Sequence, residues 1–521
     1  MQLKTTKRLQ QLKKAKKSLI WLATLSATIA TACQAPTVTQ TSPTPSITPA
    51  SPTPIARFDG ITVNLITRDL VPIAEPIQRR IPEFEKLTGA KVKVVTFPFG
   101  KLYQAIKQDL SQGTKTYDAM VFATQWMVDY AAPGYLENLT PRIAADPSLE
   151  WNDIAPFFRD FSSTYQGKIV SIPVDGDFHM VYYRADLLQT AKLNPPETWE
   201  DYLAIAKQFQ GKDLNGDGTP DYGSCTSKKS NAQSYWMFWS IATSFLQSQG
   251  TKQGAFFDPD TMKPLVNNEA IATALDIYKE TVKYAPPDEL NFDLEQAHEF
   301  FIGGRCALTL DWGDTGTLAI TPNSKVKDKV GAVILPGTKK VLDRATGKLI
   351  ACNKVICPFA LNGINYAPYA AFGGWVGAIN AAAPPKNKDA AYAFLSYLSQ
   401  PAQANIDVTI GDTGFNPYRT SQFTNREPWI EAGMSFEAAS KYLGAIGVSL
   451  RSPNIVLDLR IPENNRYQGE VLDKAIADFL ADKITRDEAI QQINNGWEAI
   501  TNKIGREKQR AAYRATLGIS Q

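Results

Sequence analysis

Asp175 and Asp177 straddle Gly176 in the segment IVSIPVDGDFHMVYYR, which also holds His179. Two carboxylates two residues apart on an extended chain point to the same face. That arrangement suits accepting hydrogen bonds from neighbouring hydroxyls of one bound solute. A glycosidase also needs two carboxylates, but they must flank the bond being cut, and this spacing does not place them so. His179 has no nucleophile context. The chain contains no Gly-x-Ser-x-Gly elbow, no Walker P-loop, no His-Glu-x-x-His and no tandem Cys-x-x-Cys. Binding is expected here, and not an enzyme.

A solute rich in hydroxyls presents polar edges and apolar C–H faces. Its site therefore combines aromatic platforms with carboxylates, amides or arginine. The chain has ten tryptophans. Gln125 and Trp126 follow the apolar run Tyr117–Ala123, at the end of a strand where ligands of open α/β sheets lie. Trp312 sits between Asp311 and Asp314, Trp375 follows Gly373 and Gly374, and Trp236 belongs to a Tyr-Trp-Met-Phe-Trp cluster. Arg68 and Asp69, after the first apolar run, and Arg419, after Pro417, complete the ligand-binding candidates with Gly374. For each tryptophan the competing reading is core packing.

A separate string, Asp213-Leu-Asn215-Gly-Asp217-Gly-Thr219-Pro-Asp221, resembles a calcium loop, with oxygen ligands at alternate positions and glycine at the sixth. Its twelfth position is Ser224 where a bidentate Glu is usual, and such strings also make ordinary turns. Structural calcium is a candidate; no other cofactor is required.

These residues need a scaffold. Ile61–Thr67 reads as a strand, 74–88 and 100–112 as amphipathic helices around a second strand, Lys91–Phe97, and Tyr117–Ala123 as a third. Strand, helix, strand, helix, strand is the pattern of a parallel α/β layer. Farther on, Thr198 opens a helix with an acid at its third position. Residues 267–284 and 387–399 read as helices, and 325–337 ends in a strand-like run. Thr485-x-x-Glu488 starts a last long helix.

The N-terminus carries seven basic residues between Lys4 and Lys17 and no acid, then an apolar stretch, Ser18–Thr31, and Cys33. This is a secretory signal over 1–32, too short for a membrane span. The small residues before Cys33 resemble a lipobox, although Ala30 stands where Leu is usual. Cys33 is thus the expected lipidation site, followed by a Pro/Thr/Ser-rich tether to residue 56 whose composition cannot build a core. Setting aside the seven basic residues leaves 48 Lys and Arg against 52 acids. Nothing in this balance points to nucleic acid. Four further cysteines in an exported chain favour disulfides. Of the three pairings open to them, Cys352–Cys357 across a short loop with Cys225–Cys306 is preferred.

The segment 169–209 is similar to the lobe-crossing region of the family 1 extracellular solute-binding proteins, the maltose and oligosaccharide type that serve ABC importers. The carriers are Pro173, Asp175, Tyr183, Arg184, Asp186, Leu187, Pro196, Thr198 and Trp199. FDPDTMKPLVNNEAIATALDIYKETV (257–282), FFIGGRCALTLDWGDTG (300–316), the Gly-Gly-Trp stretch at 371–399 and GFNPYRTS (414–421) follow in the family's order. Residues 338–370 look like an insertion. The resemblance implies an α/β, two-lobed periplasmic-binding-protein fold, type II-like, over 57–521. Lobe 1 takes about 57–172 plus part of 371–430, and lobe 2 about 178–370 plus the C-terminal helices. It implies a monomer, anchored through Cys33 to a bacterial membrane and facing the periplasm or exterior. Hinge closure captures a mono- or oligosaccharide for an ABC permease. The alternatives are a polyol, polyamine or amino-acid derivative in the same fold, or, more remotely, an exported glycoside-active enzyme.

Overall fold

The computed structural model describes residues 56–411 and 413–519. The signal segment, Cys33 and the tether up to residue 55 lie outside the described residues. Two sheets form the frame, and the chain visits them in an order set by local signals.

The first strand, β1 (Thr62–Arg68), leads into α1 (Val71–Thr88). Pro72 sits in the first turn of α1, where a missing N–H costs nothing, so the helix starts earlier than its apolar periodicity suggests. It stops at Gly89, whose φ of 73° lets its N–H return to the Glu85 carbonyl. Next come β2 (Lys91–Phe97), α2 (Phe99–Gln112) and β3 (Ala119–Ala123), with β1 parallel to both other strands. The short β4 (Ile172–Pro173) ends this first pass.

The chain then builds the second sheet. It supplies β5 (His179–Arg184), α3 (Trp199–Phe209), β6 (Tyr222–Cys225) and α4 (Ser234–Leu246). Then follow α5 (Glu269–Val282), α6 (Leu294–Ile302), β7 (Cys306–Trp312) and β8 (Val330–Val333). The strand order is β8-β5-β7-β6, antiparallel except between β6 and β7. Thr198 and Asp201 close a capping box at the start of α3, as their spacing predicts. Every residue of α4 is buried, so this helix is the core of the second lobe. Removing an apolar side chain of this size from water contributes about 1.5–3 kcal/mol.

The region 338–370 holds a hairpin, β9 (Lys340–Asp343) and β10 (Lys348–Ala351). Arg344 fastens it by donating to the carbonyls of Leu246, at the end of α4, and of Gln253 and Gly254 beyond it. Both preferred disulfides are present: Cys225–Cys306 joins β6 to β7, and Cys352–Cys357 closes the loop after β10. The chain returns to the first sheet through β11 (Trp375–Ile379), which gives the order β2-β1-β3-β11-β4 and runs antiparallel to β3 and β4. After α7 (Pro385–Ser399), further helices lead to α8 (Arg486–Ile504), opened by the Thr485–Glu488 capping box. Among the described residues no helix is long and apolar enough to cross a membrane.

Candidate functional site

Three stretches of chain meet between the sheets. One is Val174–Phe178, which links β4 to β5; the others are Ala371–Gly374, entering β11, and the run around Asn416. They pack so closely that side chains are excluded at two points. A Cβ on Gly374 (φ 93°) would lie 2.1 Å from the Asp175 carbonyl, and one on Gly176 would lie 2.5 Å from the Pro417 carbonyl. Gly374 therefore serves the crossing itself and lies outside the lining of the neighbouring cavity. Asp175 does the same work, since its carboxylate accepts from the Asn416 N–H at 2.6 Å.

Beside this crossing lies a small cavity lined from both sheets. Arg68 at the end of β1 and Trp375 at the start of β11 face it from the first sheet. Trp312 and Asp314, at and just beyond the end of β7, face it from the second, with Trp236 from α4. Asp177 reaches it from the crossing. Six of the residues singled out in the sequence thus share one wall-to-wall space.

The others stand elsewhere. Asp69 is exposed and outside the cavity lining. Trp126 is fully buried one layer back, packed on Phe99 with ring centroids 4.8 Å apart and on Tyr103 at 5.5 Å. Gln125 is its neighbour in that layer, hydrogen-bonded to the Tyr235 hydroxyl. Asp311 lies behind Trp312, accepting from the Trp312 backbone N–H at 2.9 Å and pairing with His298 at 3.1 Å. Arg419 lies outside the cavity lining. Its guanidinium donates to the carbonyls of Ser399, Leu149 and Glu150 and pairs with Asp153, so it ties loops together.

The calcium-like loop is closed on itself. Asp213 accepts from the N–H groups of Gly216 and Gly218, and Asp217 from that of Thr219. Asn215 accepts from the Asp217 N–H, and Asp221 takes the Leu214 N–H and Arg305. Among the described residues no three His, Cys, Asp or Glu side chains gather as a metal-holding group.

Sequence reasoning missed Gln233 and Phe372, which also line the cavity. Gln233 accepts from the Trp312 indole N–H at 2.9 Å, which fixes the ring edge. Phe372 bridges the two sides, 5.3 Å from Trp312 and 5.8 Å from Trp375. A signal existed for Phe372, which directly precedes Gly373-Gly374-Trp375; a lone glutamine carries none.

The cavity is electrically unusual. Arg68 is 8% exposed, and among the described residues its guanidinium has neither a hydrogen-bond nor an ion-pair partner. It stands over the Phe99 ring at 5.1 Å. Burial pushes the Asp177 carboxyl well above the ordinary range, and the charge of Asp175 adds to this. Burial raises Asp314 to about 6 against the pull of His298, and its Oδ1 has no hydrogen-bond partner. Burial works against a charge on His298, but Asp311 and Asp314 outweigh it and raise its pKa to about 9. His179, by contrast, is held down to about 3 by burial and meets the Ser240 hydroxyl at 2.6 Å, under the Trp312 ring.

Comparison with known proteins fits this geometry. The profile of the family described as "Bacterial extracellular solute-binding protein" matches residues 70–405. A "Probable amino-acid ABC transporter periplasmic-binding protein" of Sinorhizobium fredii is 22% identical over 352 residues, covering 66% of this chain and 70% of that relative. A "Mannitol-binding protein" of Pseudomonas aeruginosa is 26% identical over 262 residues, covering 50% of this chain and 56% of that relative. Among solved structures, an ABC transporter solute-binding protein from Agrobacterium radiobacter in complex with ribitol superposes with a TM-score of 0.69 at 24% identity. That match covers 85% of this chain and 100% of the other. The two-lobed α/β fold expected from the sequence is the one shared with that structure.

Proposed function

The chain belongs to the bacterial extracellular solute-binding proteins, and from that premise we propose that it captures a sugar or polyol between its two sheets for an ABC permease. The observation that carries this reading is the single cavity in which Arg68, Asp177 and Asp314 stand among Trp236, Trp312 and Trp375. Buried polar groups left unpaired cost free energy. A solute that brings donors and acceptors to them recovers that cost, and indole faces cover its C–H surface. The mannitol named for one relative and the ribitol in the aligned structure are solutes of this chemistry. Closure of the lobes on the solute gives the permease a distinct surface to read.

Binding is the activity proposed, with no cofactor required, and the working form is a monomer. We further propose that Cys33 is lipidated and holds the protein to its membrane. Cys33→Ser should then move the protein into the soluble exported fraction in a fractionation experiment; persistent membrane attachment contradicts the anchor. A second reading, capture of a cationic solute, has one observation in its favour: Asp177 and Asp314 outnumber Arg68 in the cavity.

A thermal-shift screen of the mature protein against sugars, polyols, amino acids and polyamines tests the proposal. A solute at 100 times its Kd adds about 2.7 kcal/mol to the stability of the form it binds. A sugar or polyol hit recovered unaltered supports capture. A response confined to amines replaces the solute class, and hydrolysis of a hit returns the enzyme reading.

A further inference from the structure

The loop after β10 takes no part in the solute site. Cys352 and Cys357 are joined across it, with Cα atoms 5.5 Å apart. Its backbone donors are answered inside the loop. The Asn353 side chain takes the N–H groups of Val355 and Ile356, and the Asn353 carbonyl takes that of Cys357. The Ala360 N–H goes to the Cys357 carbonyl, Leu361 and Ile364 exchange both of their bonds, and Pro358 has no N–H to satisfy. The side chains are left outside. Val355 is 84% exposed and Leu361 63%, and Phe359 between them in sequence is exposed too. Single exposed apolar side chains are ordinary, but three within seven residues beside a disulfide form a patch.

The charge around this patch has one sign. No Asp or Glu occurs between Asp343 and Asp389. Lys354 lies inside the loop. Lys339 and Lys340 stand at its base, since the Cys352 N–H donates to the Lys339 carbonyl and Lys340 faces Ala351 across the β9–β10 hairpin. All three lysines are exposed, and among the described residues none of their ammonium groups has a hydrogen bond or an ion pair. Glu269 pairs with Lys348 at 3.5 Å and also feels Lys340, which leaves Lys339 and Lys354 uncompensated. An apolar tip with its donors satisfied can enter the boundary between headgroups and acyl chains without stranding polar groups. Lysines at its rim then meet anionic headgroups. Lipids move laterally to meet such charges, whereas a protein partner would need an acid placed to match each one.

We infer that the 352–361 loop is a membrane-contact tip, which seats Val355 and Leu361 in an anionic bilayer surface while Lys339, Lys340 and Lys354 engage its headgroups. The inference is independent of the solute in the cleft, and its test needs no lipid on Cys33. The mature chain carrying Cys33→Ser, exported so that its disulfides form, is sedimented with vesicles of equal parts phosphatidylglycerol and phosphatidylcholine, and with phosphatidylcholine alone. Binding to the anionic vesicles should be stronger by about tenfold or more and weaken as salt rises. Two variants should each lose about tenfold or more of it: Val355→Asp with Leu361→Asp, and Lys339→Gln with Lys340→Gln and Lys354→Gln. The replaced side chains are exposed, and near-ultraviolet circular dichroism matching the wild type shows that both variants fold. Equal binding to the two kinds of vesicle, no binding to either, or a variant that binds like the wild type overturns the inference. No vesicle binding together with a concentration-dependent dimer, abolished by the aspartate pair in sedimentation velocity, would give the tip to a second copy instead.

Discussion

Arg68 and Arg419 are both arginines withdrawn from solvent on the first-sheet side of the molecule, and they are held in opposite ways. Arg419 donates to three backbone carbonyls and pairs with Asp153, so its charge was desolvated in exchange for a full set of partners. Arg68 is desolvated beside a phenyl ring with no such set, at the edge of a cavity. The same contrast separates two aspartates: Asp407 is clasped by Arg79 and Arg80, whereas Asp314 keeps an oxygen without a hydrogen-bond partner, 4.0 Å from His298 Nε2. Buried charges that are satisfied belong to the architecture. Buried charges that are not satisfied mark the place where something else must bind.

The largest effect that sharpens this contrast is expected at the satisfied residue. Arg419→Ala strands four acceptors and should lower stability by about 3–5 kcal/mol in urea unfolding, while the folded fraction keeps its solute affinity within about twofold. Arg68→Ala should do the reverse. Affinity falls about 10- to 100-fold by calorimetry, the value of hydrogen bonds to a charged group, about 1.5–3 kcal/mol, and stability changes by less than about 1 kcal/mol. Equal stability losses in the two variants would erase the distinction.

Asp314 gives the next effect. Its folded-state pKa of about 6 lies above the ordinary 3.8, so the unfolded chain ionises first as pH rises. The wild-type protein therefore loses stability through this group between about pH 4 and pH 6. Asp314→Asn should lack that loss and gain on the wild type by about 1–3 kcal/mol across the window, with a flat difference above it. A difference curve that is level from pH 4 to 6 would show that the carboxyl is not held up by burial. The smallest effect is expected from calcium. The 213–221 loop spends its carboxylates on its own backbone, and millimolar calcium should leave the melting temperature within about 1 °C.

Much of the scaffold was legible because its signals are local. Thr198 with Asp201 and Thr485 with Glu488 each fix a helix start within four residues, and β2 matches its expected limits because Lys91–Phe97 alternates under β-branched side chains. The site was legible only in part, since its geometry depends on contacts between distant segments. Trp126 does follow a strand end, but the chain turns there into a short helix and the ring slides under Phe99. Arg419 reads as a free cation because its partners, Leu149, Glu150 and Ser399, are far away in sequence. Phe99, which packs against Trp126, Trp236 and Trp375, opens a helix and reads as ordinary core.

The most direct test of the account is a crystal structure of the protein with the best solute from the screen. The account predicts solute density inside the cavity, with hydroxyl oxygens within hydrogen-bonding distance of the Arg68 guanidinium and the Asp314 carboxylate. Density at any other place, with Arg68 and Asp314 still facing an empty cavity, would contradict it.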